Sequence, residues 1–413
     1  MKFSINSEKL MKSTMHNFSN FLKKRTLSQQ KGFDKILKKF YKEIYESDKF
    51  IKESWNLNNI TLREVHHFDD IKHGSLINSS YLPNSIKEFI KNNIKGHLLY
   101  KTTIGGRKIK LSLYLMNDDQ FNNLKKFDIL AHKMFTWLAF ASKYSKNNCS
   151  QTLDIHCYLT PHQKNLPNHM TTLSPLHVNS AVTTSCSKNG EICIFRLEEL
   201  FKVFIHETFH NLGLDFSTLT TTSLNKNIHK LFPIDSQLNL FEAYTEFWAT
   251  IMNSLFTAFY LTDGKTNIKE FLLYADYCIN YERFFSLFQC VKVLNFMGLN
   301  YIHLFQDNKI SQSARQLYKE ETNVFSYYIV KTILLYNNYD FIRWCKKNND
   351  NIISFNKSTK NMILFFDFIK KYHKGKNFLK DIKKTEDLLK SIQKNSLLTN
   401  TMRMTVIEDS IEN

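Results

Sequence analysis

The segment VFIHETFHNLGLDF, residues 203–216, constrains this chain more than any other. Leu200, Phe201, Phe204, Ile205 and Leu212 recur at helical spacing, and Gly213 supplies the left-handed residue on which such a helix stops. On that helix His206 and His210 stand one turn apart on one face, so both imidazoles can reach a single ion. Glu207 flanks the pair, where a carboxylate can take a proton from water activated by such an ion and return it to a leaving amine. The pattern points to hydrolysis at a metal, with His206 and His210 as ligands and Glu207 as base. The plain alternative is two polar positions on a half-buried helix.

A catalytic zinc centre needs a third protein ligand and an open coordination position. The position ten residues after the first histidine is Phe216, with Asp215 one residue out of register, so a ligand at the metzincin spacing is excluded. Downstream, NLFEAYTEFWAT places Glu242 and Glu246 one turn apart on a second helix that can pack against the first. Glu242 is the candidate third ligand, and a solvated helix carboxylate is the alternative for either residue. Asp215 is a candidate acceptor for a ligand imidazole, against an ordinary post-helix turn aspartate. Arg196 and Glu199 are explained by capping and surface pairing at least as well as by a role in fixing the helix.

Residues 192–250 resemble the gluzincin class of zincin metallopeptidases, in which a Glu on a later helix is the third ligand and an acidic residue four positions on orients a ligand His. FEAYTEFWA is similar to the aminopeptidase-type third-ligand helix. The resemblance implies Zn2+ held by His206, His210 and Glu242, with Glu246 outside them. Glu246 stands where thermolysin-like enzymes carry Asp, a departure that touches its reach. IFRLEELFKVFIHETFHNLGLDF is also similar to an uncharacterised zincin-like family of large DNA viruses, which implies a viral protein without a settled activity. Zincins commonly hold an extended peptide on the exposed edge strand before the motif helix, expected here at Asn179 to Thr184 or Ile192 to Phe195. Tyr327 and Tyr328 are candidate donors to a developing oxyanion, with core packing the alternative.

Residues 1–95 read as a helical N-terminal region, with Phe33, Ile36, Leu37, Phe40 and Ile44 at helical spacing. HLLYKTTI and RKIKLSLYL around Gly105-Gly106 predict a hairpin; residues 120–146 predict a helix, and TLDIHCYLT a strand. A second hairpin is expected from HVNSAVTTSC and EICIFR, turning at Lys188-Asn189-Gly190. The expected division is a sheet-bearing unit with the motif helix at 96–216 and a helical subdomain with the third ligand at 217–396. That subdomain should break near Asp263-Gly264, Asn337 and residues 348–351, and residues 397–413 should be a flexible tail. The fold class is α+β: a mixed, mainly antiparallel sheet with backing and active-site helices.

A chain of 413 residues with 43% hydrophobic and 23% charged residues can bury a large core and does not have the composition of a disordered one. The +18 formal charge invites a polyanionic partner, but it comes mostly from Lys in a Lys/Asn-rich composition without a recognition motif, which argues against nucleic acid. Seven scattered cysteines predict neither a disulfide framework nor a cysteine metal site, and fit a reducing compartment. No secretory signal is readable, and the apolar stretch from Phe247 to Leu261 is too short and too polar to span a membrane. The expected location is intracellular, in a host cytoplasm or virion, and the expected partner is a peptide or protein substrate. The function expected is that of a zinc metallopeptidase. Its rivals are a non-catalytic zincin-like structural or interaction protein and a basic nucleic-acid binder.

Overall fold

A computed structural model describes residues 3–23, 25–55, 60–146, 148–262, 266–392 and 396–410. Its centre is a six-stranded sheet in the order β1-β2-β3-β4-β6-β5. The strands are β1 (Ile60–Glu64), β2 (Gly96–Ile104), β3 (Arg107–Leu115), β4 (Thr152–Tyr158), β5 (Ala181–Thr183) and β6 (Asn189–Ile194). β3 pairs parallel with β4 and β4 with β6; the β1–β2, β2–β3 and β5–β6 pairs are antiparallel. The sheet is thus mixed and mainly antiparallel, within an α+β chain whose C-terminal half is helical.

Alternation along β3 explains the two layers. Ile109, Leu111, Leu113 and Leu115 face the main core, while Tyr114 and the following Met116 join a second cluster with Ile86, Ile90, Tyr158 and Phe195. On the main-core side lies the helix Lys125–Ser142, which buries Phe127, Leu130, Met134 and Trp137. Behind it run the 22-residue helix Leu240–Leu261 and the 29-residue helix Ile268–Phe296, which pack on each other. The central strands β3 and β4 are buried on both faces toward their C-terminal ends, from Leu111 to Leu115 and from Ile155 to Tyr158, while Lys108, Lys110 and Thr152 at their starts are exposed.

The first hairpin forms where Gly105 and Gly106 take φ values of +56° and +76°. Three expectations are corrected. The N-terminal region is not all helix, because Ile60–Glu64 extends the sheet as β1; four of its five side chains are exposed, so it carries little apolar patterning. Asn189 and Gly190 lie inside β6, pairing with Thr152 and Leu153 of β4, so the second hairpin turns before them. Gly190 is needed there for space, since a Cβ would fall 2.3 Å from Ser150 Oγ. Cys149 and Cys186 form a disulfide, against the expectation of none, and the other five cysteines are free and buried.

The expected flexible tail is also corrected. Thr401 to Ile407 are buried, with Met402, Arg403, Thr405, Val406 and Ile407 at 0% exposure. Two buried carboxylates hold this strap. Glu199 Oε1 accepts the amides of Met404 (2.8 Å) and Thr405 (2.6 Å), and Glu282 Oε1 accepts those of Val406 (3.0 Å) and Ile407 (2.8 Å). Buried amides without such acceptors would each cost about 1–3 kcal/mol, which is why an irregular segment can lie inside. Residues 411–413 and the break expected at Asp263-Gly264 lie outside the described residues. Among the described residues, no helix is long and apolar enough to cross a membrane.

Candidate metal centre

The motif helix spans Leu200–Asn211 and is buried along its whole length. Glu199 precedes it in the left-handed region at φ +59°. At its other end Gly213, at φ +64°, lets the amides of Gly213 and Leu214 return to the carbonyls of His210 (3.1 Å) and Phe209 (2.8 Å). Trp137 Nε1 donates to Thr208 Oγ1 at 2.6 Å, tying the helix to the layer against the sheet. The opposite side of the helix carries the two histidines toward the helix Leu240–Leu261, whose first turn holds Glu242.

Three side-chain atoms converge there. His206 Nε2 lies 3.1 Å from Glu242 Oε2, His210 Nε2 lies 3.2 Å from His206 Nε2, and His210 Nε2 lies 3.4 Å from Glu242 Oε2. Bonds of about 2.0–2.1 Å to a tetrahedral ion put its ligand atoms about 3.3 Å apart, so this near-equilateral triangle has the size of three corners of such a site. His206, His210 and Glu242 can therefore hold a metal ion.

The far nitrogens are anchored as well. His206 Nδ1 lies 2.9 Å from Glu246 Oε2, and His210 Nδ1 lies 2.6 Å from Asp215 Oδ2. Carboxylate acceptors at Nδ1 fix the ring orientation and leave Nε2 with its lone pair free for a metal. Asp215 is itself held by Ser217 Oγ at 3.0 Å. Glu246 places its second oxygen against the ammonium of Lys202, with Lys331 Nζ at 4.0 Å. Burial works to raise the Glu242 carboxyl, but His210 and the hydrogen bonds from both imidazoles hold it well below the usual carboxylate range. Glu246 is brought to about 2 against the same burial, chiefly by Lys202 and by His206.

Glu207 is 8% exposed and faces a cavity of about 50 Å³. Its walls include Asn179, Ser180 and Ala181 from the edge of the sheet, Lys202 and Val203 from the motif helix, Tyr327, and Met404 from the strap. Burial raises the Glu207 carboxyl, His206 and His210 oppose this, and the charge of Glu242 adds to it. Tyr327 donates its hydroxyl to Glu242 Oε2 at 3.1 Å and sets its ring 5.7 Å from that of His206. It sits on a π-helical stretch, Phe325–Val330. Tyr328, the neighbouring candidate, points away and donates to the carbonyl of Met402 at 2.5 Å.

Of the two expected edge segments, Ala181–Thr183 is the outermost strand of the sheet. Ile192 to Ile194 pair on both sides, with β4 and β5, so the second segment is interior and is withdrawn as an edge. Arg196 and Glu199 are not surface residues: each is 1% exposed. Arg196 donates to the carbonyls of Asn179, Gln163 and Leu176, at 2.9, 2.9 and 2.6 Å, and so fixes the approach to the edge strand. Lys202, Lys331 and Met404 were not foreseen. The one usable signal was the position of Lys202, a turn before His206 on the same face.

Comparison with known proteins gives one informative match. Over 198 residues the chain is 28% identical to an uncharacterized protein of Acanthamoeba polyphaga mimivirus, a stretch that covers 47% of this chain. It spans about half, 49%, of the length of that relative. No family model matches, and no solved structure matches.

Proposed function

We propose that this protein is a zinc-dependent peptide hydrolase of the gluzincin kind, from a large DNA virus. The observation that carries the reading is the triangle of His206, His210 and Glu242, each histidine backed by its own carboxylate, beside a cavity faced by Glu207. Two nitrogens and one carboxylate oxygen are a donor set that would suit zinc, which His206, His210 and Glu242 would hold. Zinc bound there supplies Lewis acidity.

The remaining work falls to the chain. Glu207 takes the proton of the attacking water and delivers it to the departing amine. Burial raises the Glu207 carboxyl, the direction that makes its carboxylate a better proton acceptor. Tyr327, which lines the cavity and whose hydroxyl now donates to Glu242, is the donor proposed for the oxygen that becomes negative when water adds to the peptide carbon. The outer side of β5 offers unpaired backbone groups along which an extended peptide can lie. The mimivirus relative supports the viral source and carries no activity.

The test is zinc content together with peptide turnover in the wild type and in Glu207→Gln. A hydrolase keeps its zinc in that variant and loses turnover. A zincin-shaped scaffold or a nucleic-acid binder is indifferent to the change in its own assay.

A further inference from the structure

The cleft beside the edge strand is closed at one end. The segment leading into β5 is fastened to the helical half of the molecule: Leu173 bridges Glu320, and the Glu321 amide donates to the Leu173 carbonyl at 2.9 Å. Thr322 Oγ1, five residues ahead of Tyr327, donates at 2.8 Å to Oδ1 of Asn179, two residues before β5. The strap closes the same end from below, where the Met402 amide donates to the Lys164 carbonyl at 2.8 Å and the Leu166 amide to Asn400 at 2.7 Å. Among the described residues, no hydrogen bond joins Val182, Thr183 or Thr184 to the helices after the motif helix; Asn211 of the motif helix donates to the Thr184 carbonyl at 3.1 Å. A chain lying along β5 therefore meets a wall at the Asn179 end, whereas Val182, Thr183 and Thr184 are half-exposed.

The blind end is small and holds charges of both signs: Lys164 is paired with Glu199, Lys202 with Glu246, and Glu207 lines the same space. Lys164 and Lys202 line it, at 1% and 3% exposure. Lys202 spends one donor on Glu246, and its other close neighbour is the thioether sulfur of Met404 at 3.6 Å, a weak acceptor. An ammonium carries three donors, so this one keeps hydrogen-bonding capacity beyond these two partners. The space of about 50 Å³ takes about one small side chain, not a continuing polypeptide. A peptide paired antiparallel to β5, the slightly more stable of the two pairings, ends with its carboxyl terminus against this wall.

We infer that the site is a carboxyl-terminal exopeptidase site, in which Lys202 receives the free carboxylate of the substrate and the last peptide bond lies over Glu207. This rests on the metal-dependent hydrolysis proposed above. One water is consumed: its oxygen bonds to the penultimate acyl carbon, the C–N bond breaks, and the proton taken by Glu207 goes to the amine of the released amino acid.

The experiment uses zinc-loaded, full-length Glu207→Gln protein and a hexapeptide acetylated at its amino end, made once with a free carboxylate and once as the carboxyl amide. Calorimetry should find the amide bound about tenfold or more weakly, the loss expected for a charge-assisted hydrogen bond. Wild-type protein should release single residues from the carboxyl end of the acid. Equal binding of acid and amide, cleavage inside the doubly blocked peptide, or release from a free amino end each overturns the inference. Metal content of the same samples separates the two levels: protein that takes up no zinc sinks the hydrolase reading, whereas zinc-loaded protein that ignores the carboxylate sinks this one alone.

Discussion

Histidines cluster on both faces of the sheet, and the two clusters are chemically opposite. Behind the sheet, His97, Tyr114 and His156 stack across β2, β3 and β4, with interplanar angles of 11° and 10°. His156 Nδ1 meets Tyr114 Oη at 2.7 Å, and His73 Nδ1 meets Tyr158 Oη at 2.9 Å. Their hydrogen-bond partners are phenols and a backbone carbonyl, and burial lowers all three histidines, His97 to about 4. On the motif helix each imidazole meets carboxylates instead, and these outweigh burial, so that both His206 and His210 are raised. Two carboxylates on the far nitrogens and a third between the near ones distinguish a group that can hold a metal ion from a packed aromatic layer. The number of histidines does not.

The contrast breaks most easily at the base. Glu207→Gln should lower peptide turnover by about 10²–10⁴-fold while zinc stays bound, read by steady-state kinetics and metal analysis of one preparation. Unchanged turnover would remove Glu207 from the chemistry. Next come the carboxylates behind the ligands. Glu246→Gln and Asp215→Asn should each weaken zinc binding by about 10–100-fold in competition with a chelator, and wild-type affinity in both would show that the anchored nitrogens are incidental.

The rear cluster predicts a smaller, pH-dependent effect. An unfolded chain protonates these histidines below about pH 6.5. The folded state holds His73, His97 and His156 neutral to lower pH, His97 to about 4. The unfolded state thus binds more protons in that window. Their contribution to stability is therefore complete above about pH 6.5 and is lost as pH falls toward 4. Between pH 7 and pH 5 these three histidines should act to lower the melting temperature, and His97→Phe, which keeps the stack, should shift the pH profile upward at pH 5 relative to wild type. An unaltered slope in the variant would show that His97 titrates normally in the folded protein.

The centre was more legible than the rest because its chemistry is local. A four-residue spacing on one helix and a second four-residue spacing on the next were enough to single out His206, His210, Glu242 and Glu246, which the structure brings together with Asp215 and Tyr327. The first hairpin was legible because two glycines mark its turn. β1 was not, since a mostly exposed edge strand has almost no apolar pattern, and Asn189-Gly190 misled because a steric need for glycine looks like a need for positive φ. The strap was hidden for a different reason. Met402, Met404 and Val406 alternate, but Thr401 to Ile407 are buried by acceptors more than 100 residues away, Glu199 and Glu282, and no local pattern announces a distant carboxylate.

The most direct test of this account is metal content by mass spectrometry on wild type, His210→Ala, Glu242→Ala and His97→Phe, purified alike. Stoichiometric zinc is predicted in the wild type and in His97→Phe, with loss in both ligand variants. Full zinc in His210→Ala and Glu242→Ala, or its loss in His97→Phe, would place the ion elsewhere and contradict the assignment.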